Sequence, residues 1–259
     1  MRWLVLFAAA AASLFAQLPA PNAAGVSMGH IHLTVPDPEA QMKVWTEVLG
    51  AQASKAGPLN LLKLPGIFII VSKANATEGT DGSTVNHIGF LVKDYVALKT
   101  KLEAAHVATV FDRPANRQIM ANFPDQIHVE FFEDTSLATP VAFHHIHITT
   151  TDPDSLQAWY IKTFGAEKSH RRDYPSAKIP AAEVDFSKAK EAAAPTKGRT
   201  LDHIGFEVKD LEPFVKQLQA QGVTIDMPFR DIPAIALKIA FIIDPVGTRI
   251  ELTQGLAGR

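Results

Sequence analysis

The chain has 259 residues, a hydrophobic content of 47% and a formal net charge of −2, which indicate a soluble globular protein of one large domain or two ordinary ones. A near-neutral charge without a basic run excludes the electrostatic footprint of nucleic-acid binding and gives no attraction to an anionic membrane. Because the sequence contains no cysteine, disulfides, a thiolate nucleophile, thiolate metal ligands and a lipoprotein anchor are also excluded.

The first 24 residues are predicted to be a secretory signal peptide. Arg2 gives a short basic start, residues 3–16 form an apolar run, and residues 17–24 supply prolines and small residues, an order typical of such peptides. The run is shorter than the roughly 20 apolar residues of a membrane span, so an uncleaved anchor is the weaker alternative. We expect cleavage after Ala16, within a range extending to Ala24. The mature protein is then periplasmic or secreted, with no membrane contact.

Four segments of the chain repeat one pattern without gaps. Each begins with a histidine, continues as a β-branched and apolar strand, and ends in aspartate seven residues later. They are HIHLTVPD (30–37), HIGFLVKD (87–94), HIHITTTD (145–152) and HIGFEVKD (203–210). The leading histidines lie 57, 58 and 58 residues apart. Because the first and third copies share His-Ile-His, and the second and fourth share His-Ile-Gly-Phe, the chain is a duplicated pair of unlike units, A-B-A-B.

Each unit is predicted to fold as β-α-β-β-β, which makes this an α+β protein. The aspartate that ends each first strand can cap the following helix, and proline follows it in the first and third units. The predicted helices span 39–49, 95–105, 155–164 and 211–221, and three of them end at a glycine, namely Gly50, Gly165 or Gly222. Later strands are expected at 67–71, 127–132, 184–186, 239–243 and 248–253.

This pattern resembles the vicinal oxygen chelate superfamily, which comprises glyoxalase I, bleomycin- and fosfomycin-resistance proteins, methylmalonyl-CoA epimerase and extradiol dioxygenases. The specific features are the histidine at the start of a strand, the aspartate at its end, and a helix that closes in Leu49-Gly50 or Phe164-Gly165. In that superfamily two β-α-β-β-β units form a domain whose curled mixed sheet surrounds a divalent metal. The resemblance therefore implies two such domains, at 25–136 and 140–255.

The resemblance also implies metal ligands, because the closing strand of a domain carries a ligating glutamate in that superfamily. The corresponding segments here are FPDQIHVEF (123–131), which contains Glu130, and DPVGTRIEL (244–252), which contains Glu251. Pairing the units in chain order gives two triads: His30, His87 and Glu130; and His145, His203 and Glu251. Such a set suits Fe²⁺, Mn²⁺, Zn²⁺ or Ni²⁺ and leaves positions for two adjacent substrate oxygens. Analogy with two-domain extradiol enzymes favours the second triad, although the first is also complete.

Two further histidines are candidates for proton transfer. His32 and His147 lie two residues after the leading histidines of the A units, so they point to the same face of the strand. Each is either a general acid or base beside the metal or a packed residue. We predict His147 and Glu251 as the catalytic residues.

Other side chains are candidates for a fourth ligand or for substrate contact. Glu183 or Asp185 could supply a fourth ligand in the third unit, with a solvated strand face as the alternative. Arg113 and Arg230 precede closing strands and are candidates for contact with an anionic substrate group. In the B units, glycines replace the second histidine and are expected to leave each cleft open on that side, at Gly89 and Gly205.

Two functions fit the resemblance. The first is a metal-dependent enzyme, a lyase, isomerase or oxygenase, that chelates vicinal oxygens of a small-molecule substrate. The second is a non-catalytic protein that binds and sequesters a small molecule, as bleomycin-resistance proteins do. Extradiol ring cleavage is disfavoured because no histidine or tyrosine lies between His203 and Glu251. Export argues against substrates linked to glutathione or coenzyme A, and the resemblance leaves a homodimer open.

Overall fold

The computed structural model describes residues 18–259, so the apolar run of the predicted signal peptide and the cleavage after Ala16 lie outside the described residues. The helices are α1 (Pro38–Leu49), α2 (Tyr95–Ala104), α3 (Pro153–Phe164) and α4 (Leu211–Ala220). The strands of the first half are β1 (Val26–Val35), β2 (Gln52–Ala56), β3 (Leu59–Leu64), β4 (Ile67–Lys73), β5 (Val85–Val92), β6 (Ala108–Arg113), β7 (Gln118–Phe123) and β8 (Ile127–Glu133). Those of the second half are β9 (Val141–Thr150), β10 (Glu167–Arg171), β11 (Tyr174–Ile179), β12 (Ala182–Lys188), β13 (Leu201–Val208), β14 (Thr224–Ile232), β15 (Leu237–Ile243) and β16 (Arg249–Gln254).

The predicted α+β class and the four β-α-β-β-β units are confirmed, with helix bounds within two residues of those expected. The repeated aspartates explain where the helices begin. The Asp37 carboxylate accepts hydrogen bonds from two backbone N–H groups of the first turn of α1, and Asp152 accepts one in α3. Gly50 ends α1 in a left-handed conformation with φ of 70°, which a residue without Cβ adopts readily. Among residues 18–259, no helix is long and apolar enough to cross a membrane.

The strands form two eight-stranded mixed sheets. Sheet 1 has the order β14-β15-β16-β13-β1-β4-β3-β2, and sheet 2 has the order β10-β11-β12-β9-β5-β8-β7-β6. Sheet 1 therefore joins the first and fourth units, and sheet 2 joins the second and third. The expected pairing of units in chain order is wrong for the sheets, because β1 pairs antiparallel with β13 and β5 with β9. The domain limits 25–136 and 140–255 stay a prediction, and each sheet takes strands from both ranges.

Side-chain packing joins units that are neighbours in the chain, although the strand pairing joins units from opposite halves. In the first half, the Trp45 ring of α1 lies 6.0 Å from Phe90 and 4.8 Å from Phe123, both in the second unit. In the second half, Phe164 of α3 lies 4.8 Å from Phe206 in the fourth unit. Neighbouring units thus share a core, whereas each sheet crosses between the halves of the chain.

Candidate metal centres

The first histidine cluster lies in sheet 1, and we call it cluster 1; it consists of His30, His32, His203 and Glu251. The donor atoms of the four residues lie within 4.8 Å of one another. The Glu251 Oε2 atom is 2.9 Å from the Nε2 atom of His30 and 2.9 Å from that of His203. The strand register explains this meeting, since His32 is opposite His203, and Glu251 is beside the next inward-facing position of β13.

The second cluster lies in sheet 2, and we call it cluster 2; it consists of His87, His145, His147 and Glu130. The Glu130 Oε2 atom is 3.3 Å from His145 Nε2 and 3.4 Å from His87 Nε2. The His87 and His145 Nε2 atoms are 3.3 Å apart, and the His147 ring stacks on His87 with centroids 4.5 Å apart. Cluster 2 therefore has the same composition as cluster 1.

The structure groups the six residues of the two predicted triads in a different partnership. His30 lies with His203 and Glu251, and His145 lies with His87 and Glu130. The reason is the antiparallel pairing of β1 with β13 and of β5 with β9, which brings an A unit of one half to a B unit of the other. The role of these six residues as ligands stays a prediction.

The glycines of the B units make room for the leading histidines. The His145 ring lies over Gly89 and the His30 ring lies over Gly205, so that a Cβ atom at either glycine would overlap the imidazole. These two positions were expected to leave the clefts open. They are instead filled by a side chain from the opposite half of the chain.

Gly89→Ala is expected to displace His145 and to remove metal binding at cluster 2, because the added Cβ atom overlaps the imidazole. Gly205→Ala is the matched variant and should remove metal binding at cluster 1 only. Metal analysis of each variant after loading with Mn²⁺ or Zn²⁺ measures this, with one ion per chain expected in both. Two ions in Gly89→Ala would contradict this interpretation of the glycine.

The electrostatics of cluster 2 fit a divalent cation. Burial lowers the pKa of His145 well below its usual range, and burial with the neighbouring His87 and Arg171 charges lowers that of His147 to about 3. Burial acts to raise the pKa of Glu130, but hydrogen bonds with His145 and His87 outweigh it and hold this pKa well below its usual range. Neutral imidazoles facing an ionised carboxylate are the protonation states in which such ligands bind a metal.

The residue before each B-unit histidine fixes the orientation of its ring. In cluster 1 the Asp202 Oδ1 atom lies 2.6 Å from His203 Nδ1 and accepts a hydrogen bond of 2.8 Å from Arg249. In cluster 2 Asn86 Oδ1 lies 2.8 Å from His87 Nδ1. The two clusters therefore differ by one carboxylate behind a ligand. Burial acts to lower the pKa of His203, but the hydrogen bonds to Asp202 and Glu251 outweigh it and raise this pKa.

Asp202→Asn is expected to weaken metal binding at cluster 1 by about 10- to 100-fold, because a carboxylate behind a ligating histidine increases the basicity of that ligand. Asn86→Asp is the reciprocal change and should strengthen binding at cluster 2. Chelator competition measures the dissociation constant at each cluster when the other carries a ligand substitution. Equal affinities in Asp202→Asn and the parent would show that this carboxylate has no influence on the metal.

An apolar cluster covers cluster 1. Phe68 and Ile70 of β4 stand beside His30 and His32 in the parallel register and face the same side of the sheet. They pack with other buried side chains, namely Leu18, Ala56, Leu61, Leu237 and Leu256. Cluster 1 therefore has apolar neighbours along β4, including Leu18 and Leu256 from near the two ends of the described chain, while His32 stays partly exposed.

Cluster 2 faces a cavity of about 310 Å³. His87, Glu130 and His147 form its floor, and its walls are mostly polar, comprising Asn86, Arg113, Gln118, Arg171, Arg172, Tyr174 and Ser187 with Phe111 and Met120. Gln118 donates a hydrogen bond of 2.5 Å to Glu130 Oε1. At the equivalent position of sheet 1, after the corresponding turn, stands the buried Leu237. A larger groove of about 650 Å³ elsewhere includes none of the cluster residues.

Residues 142–252 match the family model of the Glyoxalase/Bleomycin resistance protein/Dioxygenase superfamily. This part of the chain is thus similar to the members of that superfamily. The resemblance to the vicinal oxygen chelate proteins is therefore confirmed. Comparison with curated protein sequences gave no significant match.

Solved structures of this superfamily share the fold along nearly the whole chain. Glyoxalase I from Zea mays superposes with a TM-score of 0.70 at 15% identity, covering 90% of this chain and 94% of its own. A putative dioxygenase from Bacillus subtilis superposes with a TM-score of 0.66 at 17% identity, covering 92% of this chain and 86% of its own. At such identities the likeness establishes the fold alone.

The two residues predicted as a possible fourth ligand, Glu183 and Asp185, lie on β12. Asp185 is buried beside His147 in the register, forms an ion pair with Arg171 and accepts a 2.6 Å hydrogen bond from Ser176. It is therefore engaged rather than free to bind a metal, and burial raises its pKa to about 6. Neither Asp185 nor Glu183 belongs to a metal-binding group among the described residues.

The predicted contact residues have two different outcomes. Arg113 lines the cavity of cluster 2, whereas Arg230 in β14 does not. His32 lies 2.7 Å from the Ser72 hydroxyl within cluster 1, and His147 faces the cavity. The sequence pattern gave no sign of Arg171 and Arg172, because they stand in an exposed hairpin that has Ala56 and Gly57 at its counterpart in sheet 1.

Proposed function

We propose that this protein is a divalent-metal-dependent enzyme with cluster 2 as its active centre. His87, His145 and Glu130 would hold the metal, which as a Lewis acid stabilises negative charge on two vicinal oxygens of a small-molecule substrate. The observation that carries this proposal is that two residues of the triad, His87 and Glu130, line a cavity of about 310 Å³, a volume at the lower end of ligand pockets. The third, His145, is buried behind them, with its Nε2 atom 3.3 Å from His87 Nε2 and from Glu130 Oε2.

His147 is the proton acceptor in this proposal. Its ring stacks on His87 and lies 5.0 Å from the Tyr174 ring, edge to face, so that its position in the cavity is fixed on both sides. With a pKa of about 3 it is neutral at physiological pH, and negative charge that develops on a nearby substrate oxygen favours its protonated form. Proton abstraction next to chelated oxygens is a step by which a metal-dependent lyase or isomerase can act.

Cluster 1 has a structural role in this proposal. It has the same triad, but an apolar cluster replaces the polar cavity, so that a bound metal would stabilise sheet 1 without meeting a substrate. The glutamate predicted as catalytic, Glu251, is then a ligand of the structural metal. The protein acts after export, a proposal that rests on the first 24 residues alone and is tested by cell fractionation.

The proposal is tested by metal loading followed by a substrate screen. Purified protein is titrated with Mn²⁺, Fe²⁺, Zn²⁺ or Ni²⁺, and the melting temperature and bound metal are measured. The loaded protein is then screened with 2-oxoaldehydes, 2-hydroxyketones and catechols. We expect metal-dependent turnover that His147→Asn abolishes while both metals are retained, with His32→Asn as the matched control at cluster 1.

Two results would contradict this proposal in different ways. No bound metal, and no rise in melting temperature with any of the four ions, would overturn the metal-dependent activity. Metal-dependent binding of a screened compound without turnover would instead support the sequestering protein that is the alternative function.

A further inference from the structure

Cations line both rims of the cluster 2 cavity. Arg113 ends β6 on one edge of sheet 2, and Arg171 and Arg172 belong to the β10–β11 hairpin on the other edge. All three line the same cavity. The rims of a curled sheet thus place positive charge around the space in front of His147.

Two of these three arginines keep an uncompensated charge. Arg171 is neutralised by its ion pair with Asp185. The Arg113 guanidinium lies 4.5 Å from the Phe111 ring centre, and that of Arg172 lies 5.1 Å from Phe132. Among the ion pairs of residues 18–259, none includes Arg113 or Arg172. Stacking on an aromatic ring holds a guanidinium in place and leaves its charge available to a ligand, and the further contact of Arg113, a hydrogen bond of 3.4 Å to Gln118 Oε1, is with a neutral amide.

Sheet 1 shows that the fold does not require these charges. In the hairpin equivalent to β10–β11, Ala56 and Gly57 stand in place of Arg171 and Arg172. Arg113 precedes a turn that begins with Pro-Ala in sheet 2, and Ile232 stands at the equivalent position before the Pro-Ala turn of sheet 1. The same scaffold thus has an apolar lining at one cluster and a cationic lining at the other. Because the fold does not need these arginines, we attribute them to the binding of a ligand in the cavity.

We propose that Arg113 and Arg172 bind an anionic group of the substrate, a carboxylate or a phosphate, while its vicinal oxygens face cluster 2. This inference rests on the proposed function and adds the class of substrate. A planar guanidinium forms paired hydrogen bonds with either anion and keeps its charge at all physiological pH values. Arg113 and Arg172 are then specificity-determining residues that hold the anionic end of a small molecule on the cavity rim.

The test uses metal-free protein, so that anion binding is measured separately from metal binding. Calorimetric titrations with inorganic phosphate and with succinate at constant ionic strength give the dissociation constants. We expect Arg113→Gln and Arg172→Gln each to weaken binding about tenfold, which corresponds to about 1.4 kcal/mol. Arg117→Gln is the matched control, since Arg117 lies on the same turn but 3.7 Å from the Glu133 carboxylate. The probe with the lower constant identifies the anionic group.

Two results would overturn this inference. One is that neither probe binds the parent protein; the other is that Arg117→Gln weakens binding as much as the cavity variants, which would indicate a general charge effect. Circular dichroism confirms that each variant is folded. If anion binding fails while metal loading succeeds, only the substrate class is wrong, whereas failure of metal loading with intact anion binding overturns the proposed activity instead.

Discussion

His145→Ala is expected to reduce the bound metal from two ions per chain to one and to abolish turnover. The His145 side chain is completely buried, and its Nε2 atom lies 3.3 Å from the Glu130 carboxylate, whereas the His147 ring is stacked on His87 and lies 6.4 Å from the His145 ring. A two-histidine, one-carboxylate site that loses one of three ligands has too few donors for a stable divalent complex. Metal analysis after gel filtration, together with the substrate assay, measures both effects.

The matched variant for this prediction is His30→Ala in cluster 1. It removes the equivalent ligand over Gly205 and should leave one metal per chain with turnover retained. The two variants together assign activity to one cluster. Turnover that persists in His145→Ala and disappears in His30→Ala would reverse the assignment of the active centre.

Glu251→Gln is expected to lower the melting temperature of the metal-loaded protein by roughly 10 °C. A metal present at a thousandfold excess over its dissociation constant stabilises the folded state by about 4 kcal/mol, and about 1 kcal/mol shifts the melting temperature of a chain of this size by roughly 2–4 °C. Cluster 1 also joins β1 to β13 and β16, so its metal links the first and fourth units. Thermal unfolding with and without a chelator measures this loss.

The control for this prediction is Glu130→Gln in cluster 2. It should lower the melting temperature less, because Asn86 stands there in place of the carboxylate of Asp202 that increases metal affinity in cluster 1. The apolar side chains beside cluster 1 also predict that a chelator extracts the metal of cluster 1 slowly and the metal of cluster 2 rapidly. A larger loss of stability in Glu130→Gln than in Glu251→Gln would contradict the structural role of cluster 1.

The sequence predicts the local structure because this depends on short-range chemistry, and the resemblance to the superfamily supplies the candidate ligand residues. The register of four histidines and of four aspartates at the N-cap positions locates each strand and the following helix, and three of these aspartates, Asp37, Asp94 and Asp152, accept capping hydrogen bonds. The partnership of the units could not be predicted. An A unit pairs with a B unit in either arrangement, and His30 completes a His-His-Glu triad with the second unit as well as with the fourth.

The charge difference between the clusters is visible in the sequence only once the partnership is known. Asp185 and Ile70 occupy equivalent positions in β12 and β4, beside His147 and His32 respectively. Comparison of the two A units therefore indicates a polar site and an apolar site. The support that Asp202 gives to His203 has no such signal, because adjacent residues of a strand ordinarily point to opposite faces.

The metal content of two double variants tests the pairing across the halves of the chain most directly. His30→Ala with His203→Ala removes two ligands of cluster 1, and one metal per chain should remain. His30→Ala with His87→Ala removes one ligand from each cluster, and no metal should remain. The opposite result, with no metal in the first variant and one in the second, would show that the triads form in chain order and would contradict the account.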